Sequence, residues 1–351
     1  MTATRTMAAV RLPGDSTVEH VTVDVPTPGP GQVLLRMRAS SVCGSDIRAI
    51  YREHLGHGAE AYQGVVAGHE PCGDVVELGA GVSTVEVGQG VAVYHITGCG
   101  SCDECRTGYP IGCTAPTRAA YGWQRDGGHA DFLLAEAVSC QPLPESLTHV
   151  DGALVTCGFG TAYEGLLRAG VSGRDRLLVT GLGPVGLAAA MLARHLGAST
   201  VVGLEPNAER ADLARDLDLV DVVVTDPADL ADAVGDATGG RGCEVSLDCS
   251  GNAQARVAAL TSTAVRGRCV MVGEGGRIDF AVSELLIHKQ VALHGSWVTS
   301  LGHMAELLDL LDRWGEHPER IVTHRFALAD AGEAYAVAAA GASGKVVIAW
   351  D

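Results

Sequence analysis

Three groups of residues in this chain have the types and spacing to do chemistry. The first is Cys99, Cys102, Cys105 and Cys113, separated by two, two and seven residues. Four thiolates placed so closely can close a tetrahedron around one zinc ion, and a site with four protein ligands is structural. An iron–sulfur cluster also takes four cysteines, but the bacterial cluster run ends in x3-Cys-Pro, which this stretch lacks. The second group is Gly181-Leu-Gly-Pro184-Val185-Gly186, a G-x-G-x-x-G that follows one apolar run and opens an Ala/Leu-rich one. A strand–turn–helix in that order can hold a dinucleotide. Gly181 allows the tight turn, Gly183 lets the backbone approach a pyrophosphate, and Gly186 lets helix and strand pack closely. The pyrophosphate would sit on the free amides of the helix N-terminus. Glu205 lies 19 residues beyond Gly186. A carboxylate there can hold ribose hydroxyls and repel a 2′-phosphate, which favours NAD over NADP. Arg210 pulls the other way, because an Arg nearby can accommodate that phosphate.

The third group is dispersed. Cys43 lies in Cys-Gly-Ser45-Asp46, His69 in Gly68-His-Glu70, and Cys157 in Thr156-Cys-Gly-Phe-Gly-Thr161. Each alone reads as an ordinary packing or surface residue. Together, two cysteines and a histidine could hold a zinc ion with its fourth position open, which is a catalytic arrangement.

The elements that must position these residues change along the chain. Up to about residue 150 the sequence gives short strands broken by Gly and Pro, such as Val33-Leu-Leu-Arg-Met-Arg, Val75-Val-Glu-Leu and Val91-Ala-Val-Tyr. From about 175 it alternates apolar runs with helical patterns, beginning at Leu177-Leu-Val-Thr. That alternation predicts a doubly wound parallel sheet. It ends near Val291, leaving a helix around His303–Trp314 and a strand at Val346–Ala349. A tail so short must pack on another part.

Length and composition set the bounds. At roughly 150 residues per domain, 351 residues suggest two domains. With 25 basic and 42 acidic residues the net charge is −17. That charge argues against nucleic acid or an anionic membrane as partner. No apolar run reaches the ~18 residues of a membrane span; Arg194 and His195 interrupt the best candidate. Met1-Thr-Ala-Thr-Arg lacks the apolar core of a signal peptide. Eleven cysteines in such a chain are expected to bind metal or pack, not to form a disulfide framework.

The three groups, in this order, resemble the zinc-dependent medium-chain alcohol dehydrogenases, and the resemblance covers essentially the whole chain. It implies an α/β fold: a β-rich GroES-like catalytic domain over 1–157 and 295–351, with a Rossmann coenzyme domain over 158–294 inserted between them. It implies two zinc ions per chain. Cys43, His69 and Cys157 match the catalytic ligands, and Cys99, Cys102, Cys105 and Cys113 the structural ones. Gly181, Gly183, Gly186 and Glu205 match the coenzyme fingerprint. Many polyol-oxidising relatives use Glu as third catalytic ligand; the Cys-Gly-Phe-x-Thr stretch looks instead like the alcohol-dehydrogenase version. Ser45 matches the hydroxyl that receives the alcohol proton, and Asp46 the carboxylate that orients the zinc-bound His. Glu70 matches an acid that assists ligand exchange, and Thr161 a residue contacting nicotinamide. In that family zinc acidifies a hydroxyl and the nicotinamide carries the hydride.

One departure is Arg48, where several relatives place a proton-relaying His. Arg cannot shuttle protons near neutral pH, so His54, His57 or another route must serve. His95 stands where apolar-alcohol enzymes carry a hydrophobic residue. With Tyr121, Trp123, Gln124, Arg125 and His129 it is expected to border a polar pocket. The implied substrate is a polyol, sugar, cyclitol or other hydroxylated secondary alcohol. The implied assembly is a cytoplasmic homodimer or homotetramer. A reductase of aldehydes or ketones using NADPH and a non-catalytic NAD-binding protein are the rival readings.

Overall fold

The computed structural model describes residues 5–350. Residues 1–4, on which the reading of a missing leader mostly rests, lie outside them. The front of the chain is built of short strands, because runs of Val, Leu and Ile break at Gly and Pro. These are β1 (Thr6–Gly14), β2 (Thr17–Asp24), β3 (Gln32–Val42), β4 (Glu70–Leu78), β5 (Gly90–Val93), β6 (Ile96–Thr97), β7 (Ala119–Ala120), β8 (Phe132–Glu136) and β9 (Cys140–Pro142). Short helical turns interrupt them, among them α1 (Gly44–Asp46), which runs on into a π-helical turn at Ile47–Tyr51, and α2 (Asp103–Arg106). Then come α3 (His149–Leu154), a π-helical turn at Val155–Phe159, and α4 (Gly160–Ala169).

The middle alternates strand and helix, as expected. Its strands are β10 (Arg176–Thr180), β11 (Thr200–Leu204), β12 (Val222–Val224), β13 (Cys243–Asp248), β14 (Thr263–Met271) and β15 (Ala292–Gly295). Its helices are α5 (Pro184–His195), α6 (Ala208–Asp216), α7 (Leu230–Thr238) and α8 (Ala253–Ser262). All six strands are parallel, in the order β12-β11-β10-β13-β14-β15. Numbered within the sheet, that is 3-2-1-4-5-6, the Rossmann order. The expected end of alternation near Val291 falls one strand early. Ala292–Gly295 pairs with β14 through its backbone, although its own side chains are mostly exposed and carry no buried-strand pattern.

The tail holds α9 (Leu301–Trp314), β16 (Val322–Phe326), α10 (Ala331–Ala340) and β17 (Lys345–Ala349). It packs on the β-rich front. A seven-stranded sheet runs β16-β17-β3-β4-β5-β9, with β8 also paired to β3. Two compact units result. One comprises the chain through Gly160, Thr299–Gly341 and the chain from Lys345; the other comprises Thr161–Val298 and Ala342–Gly344. Among the described residues, no helix is long and apolar enough to cross a membrane.

Strand β3 is the spine of the first unit, paired with β4, β8 and β17. Leu35, at its middle, is fully buried among Val33, Met37, Val75 and Leu133. Leu35→Ala is expected to lower the unfolding free energy by about 2–5 kcal/mol through lost burial and a cavity. Urea titration followed by circular dichroism measures it.

Candidate metal and coenzyme sites

Register builds the dispersed group. Strands β3 and β4 are antiparallel, with Ser41 opposite Glu70. The residues just past that end of each strand, Cys43 and His69, therefore emerge together. Strand β17 pairs with β3 at the same end, with Val346 opposite Val42, and brings Lys345 there. Cys157 arrives on the π-helical turn that continues α3. One ligand atom each from Cys43, His69, Glu70 and Cys157 lies within 4.8 Å of all the others. Ligands around a tetrahedral zinc stand about 3.3–3.8 Å apart, given bonds of 2.0–2.3 Å. Two thiols, an imidazole and a carboxylate so grouped fit that ion.

The surroundings orient these groups. Asp46 is fully buried, and its carboxylate accepts His69 Nδ1–H at 2.7 Å and the Cys43 amide at 3.1 Å. That bond turns His69 Nε2 toward the Cys43 thiol, the usual arrangement behind a metal-bound His. The Cys157 thiol donates to Cys43 and, against the effect of burial, holds the Cys43 pKa well below its ordinary value. The same bond and burial raise Cys157. Burial works against a charge on His69, yet Asp46 and Cys43 hold its pKa well above the usual value.

Glu70 carries a second network. It is fully buried, accepts from Ser41 Oγ, and forms an ion pair with Lys345, itself 3% exposed. Burial pushes its carboxyl up to about 7 despite Lys345. Its Oε1 is buried without a hydrogen-bond partner. An orphaned oxygen beside two thiols and an imidazole is a further donor that a cation could use. Sequence reasoning missed Lys345. Its signal was rarity, as one of only two lysines, with Lys289. Ser45 is half-buried on α1 between Cys43 and Asp46. Arg48 and His57 are exposed, and His54 Nε2 donates to the Leu12 carbonyl at 2.8 Å.

The four-cysteine group also gathers, with its sulfurs within 4.8 Å of one another. Cys99 Sγ accepts from the amides of Cys102 at 3.3 Å and Ser101 at 3.5 Å, and from Ser101 Oγ. The Ser101 donors and the Cys102 amide bring its pKa down to about 5. Cys113 Sγ accepts the Cys99 amide at 3.4 Å and is likewise lowered. Such N–H···S bonds favour thiolates, the form that binds metal. The lobe is anchored by the Gly108 carbonyl, which accepts the Leu301 amide at 2.7 Å, and by the Tyr109 ring against His303.

The coenzyme fingerprint lies in the second unit, between β10 and α5. Gly181 has φ +84°, and a Cβ on Gly186 would come within 1.9 Å of the Gly181 carbonyl oxygen. Both positions thus require glycine. Gly183 caps α5 and Pro184 is its first residue, with Val185 half-buried beside it. Glu205 ends its strand nearly buried, with Oε2 accepting the Leu182 amide at 2.8 Å and Oε1 the Asn207 amide at 2.9 Å. Arg210 Nη1 would lie 3.4 Å from a Cβ on Gly183, and its Nε donates to the Ser343 carbonyl. Thr161 is half-buried at the start of α4.

The expected polar pocket is corrected in part. His95 and Trp123 do face His69, with ring centroids 5.6 and 6.2 Å away. Four others are scaffold. Tyr121 is fully buried and its hydroxyl accepts the Glu136 amide. Gln124 bonds the Ala120 amide and the Glu60 carbonyl. Arg125 pairs with Glu136 and lies 4.5 Å over the Tyr121 ring. His129 is fully buried against Tyr335. Sequence adjacency gave the segment but not its facing.

The chain is similar to known zinc-type dehydrogenases along its length. The alcohol dehydrogenase GroES-like domain model matches residues 29–145, and the zinc-binding dehydrogenase model matches residues 184–313. The chain is 49% identical to an uncharacterized zinc-type alcohol dehydrogenase-like protein of Escherichia coli K12, over 98% of this chain and 99% of that one. It is 32% identical to L-threonine 3-dehydrogenase of Pyrococcus horikoshii, over 94% of each. Among solved structures, a Sinorhizobium meliloti 1021 protein described as a zinc-binding dehydrogenase and bound to NADP superposes with a TM-score of 0.86. It is 26% identical, with 98% of this chain and 99% of that one covered.

Asp46→Asn is expected to weaken zinc retention at Cys43, His69 and Cys157 by about 10–100-fold, because the His69 tautomer loses its anionic partner. The four-cysteine lobe should keep its metal. Chelator competition followed by metal analysis separates the two.

Proposed function

From the premise that the chain belongs to the zinc-dependent medium-chain dehydrogenase family, we propose that it transfers hydride between a polar secondary alcohol and NAD. In this reading Cys43, His69 and Cys157 hold a catalytic zinc, and Cys99, Cys102, Cys105 and Cys113 a structural one. The catalytic zinc, when bound, supplies a Lewis acid that makes an alcohol hydroxyl more acidic. The coenzyme, when bound, accepts the hydride.

The chain's own residues do the rest. Asp46 keeps His69 in the tautomer that points Nε2 at the metal. Ser45 would accept a hydrogen bond from the alcohol hydroxyl and relay its proton, giving up its own toward solvent. Glu70, neutral or charged near pH 7, supplies a nearby oxygen for ligand exchange, and Lys345 stabilises its charged form. Thr161 contacts the nicotinamide. Gly181, Gly183, Pro184, Val185 and Gly186 carry the pyrophosphate on the α5 N-terminus. Glu205, at the end of β11, repels a 2′-phosphate and supports NAD. Arg210 stays engaged with the Ser343 carbonyl.

One observation carries the substrate class. His95 Nδ1–H donates to the Thr156 carbonyl at 2.8 Å, and burial, reinforced by His69, takes its pKa down to about 3. A neutral imidazole so held presents Nε2 as an acceptor near the metal group. A polar site rejects substrates that leave it unpaired. That favours a substrate with a second hydroxyl or an amine beside the reacting carbon: a polyol, sugar, cyclitol or hydroxy amino acid. The threonine dehydrogenase among the relatives acts on a molecule of that kind.

Exposed Val282, Ile287, Leu293 and Trp297, near the edge strand β15, support a homodimer or homotetramer. Eleven free thiols support the cytoplasm.

Turnover of sorbitol, inositol, L-threonine and 1-butanol, each with NAD and NADP, tests the reading. Higher kcat/KM on a polar substrate with NAD is expected; faster oxidation of 1-butanol overturns the substrate class. Metal analysis should give two zinc per chain. Cys43→Ser should lower kcat/KM at least about 100-fold, since it removes a ligand rather than an outer partner. Full activity in that variant overturns the metal assignment.

A further inference from the structure

The segment that bears His69 is held in an unusual way. Gly68 has φ +92°, and a Cβ there would lie 2.4 Å from His129 Nδ1. The His129 ring is thus packed flat against the backbone that leads into His69. The His129 backbone is fixed on both sides: its amide donates to the Ala67 carbonyl, and its carbonyl accepts the Val10 amide, each at 2.9 Å. The neighbouring Gly128 amide donates to the Gly68 carbonyl at 2.7 Å. No side chain larger than hydrogen fits at Gly68 while His129 keeps its place.

The ring is fixed in turn by Tyr335 of α10. His129 Nε2 and the Tyr335 hydroxyl are 3.0 Å apart, and their rings meet edge-on with centroids 5.7 Å apart. Both residues are fully buried. On its other side Tyr335 packs against Tyr51, centroid to centroid 5.2 Å. Tyr51 ends the π-helical turn Ile47–Tyr51, which continues α1 directly from Ser45 and Asp46. Tyr335 therefore touches the segment that follows Cys43 directly, and reaches the segment that leads into His69 through the His129 ring. His129 Nδ1 is buried with no hydrogen-bond partner. A phenyl ring would fill the same space without that penalty, so the bond to Tyr335 is what the imidazole adds.

We infer that Tyr335 and His129 are positioning residues for the candidate catalytic metal centre, locking the Cys43–Asp46 and Gly68–His69 segments at one separation. This rests on the zinc reading of Cys43, His69 and Cys157 given above. The pair touches neither substrate nor coenzyme in this role. It acts through backbone placement: a ligand shifted by a fraction of an ångström loses the bond lengths that a tetrahedral site requires.

The test uses the full-length protein with both sites loaded, first with zinc and then with cobalt(II) at the Cys43 centre. Tyr335→Phe keeps the ring and removes only the hydroxyl. His129→Phe keeps the packing and removes the bond from the other side. Val85→Ala, a buried position in another cluster, calibrates a general loss of stability. Zinc release to a chelator, the cobalt d–d spectrum and Tm are read for each. The expected result is about tenfold faster release from one of the two sites and a shifted d–d band in Tyr335→Phe and His129→Phe. Val85→Ala should lower Tm without either change. Parent-like release and spectrum in both variants overturn the positioning role. So does release that merely tracks Tm as it does in Val85→Ala. A parent protein that holds no metal at this centre overturns the zinc reading as well, which sets that failure apart from the other two.

Discussion

The structure is organised around a concentration of ionisable groups, of which Asp46, Glu70 and His69 are buried and the thiols of Cys43 and Cys157 half-buried. Two thiols, an imidazole and a carboxylate present ligand atoms within 4.8 Å of one another, and a second carboxylate, Asp46, stands directly behind. Burying even one uncompensated charge is expensive. Burying several together is tolerated only when each has a fixed partner. The chain supplies those partners from every side. Asp46 is held by His69 and by the Cys43 amide, and Glu70 by Ser41 and Lys345. Cys157 shares a proton with Cys43. What remains, His69 Nε2, two sulfurs and an orphaned Glu70 oxygen, is the donor set a divalent cation would complete.

The backbone makes this arrangement rigid by using strand ends instead of long loops. Three strands, β3, β4 and β17, are aligned so that Cys43 and His69 lie just beyond their strand ends and Lys345 at the end of its own, all at one end of the sheet. Register is set by the buried pattern along each strand, and a slip of one residue would invert every side chain. Two of the helical segments at the site, Ile47–Tyr51 and Val155–Phe159, are π-helical turns. An extra residue in a helical turn redirects the side chains that follow, and such turns gather where function fixes an orientation. Here one follows Ser45 and Asp46, and the other carries Cys157.

What the sequence made legible was local. The four cysteines fall within fifteen positions, and the glycine fingerprint within six, so spacing alone constrains their geometry. The alternation after residue 175 predicted the parallel sheet because buried strands and amphipathic helices have distinct periods. Cys43, His69 and Cys157 were different: their meeting depends on pairing between distant strands, so residue type made them only a candidate group and the family resemblance assigned them as ligands. Lys345 went unseen for the same reason, since nothing near it in sequence is acidic. Tyr121 and His129 were placed at a pocket because they share a segment with Trp123. Their side chains turn instead into the core, where Glu136 and Tyr335 meet them. Strand β15 escaped because an edge strand needs no buried pattern to pair its backbone.

The two metal candidates solve opposite problems. In the Cys99–Cys113 lobe the sulfurs of Cys99 and Cys113 gather N–H donors from their own loop and their pKa values are lowered, Cys99 to about 5, whereas burial raises Cys105 to about 12. A loop that stabilises its own anions can fold around a metal locally, and its demands on the remainder of the domain are few. At the Cys43 centre the donors come from distant segments, and the thiols depend on one another, on His69 and on Lys345. Such a centre cannot exist until the whole first unit has folded. In the proposed reading the difference follows from what each would have to do. A closed site needs only to hold, whereas an open one must keep a coordination position free and its neighbours fixed, and that rigidity has to come from the fold around it.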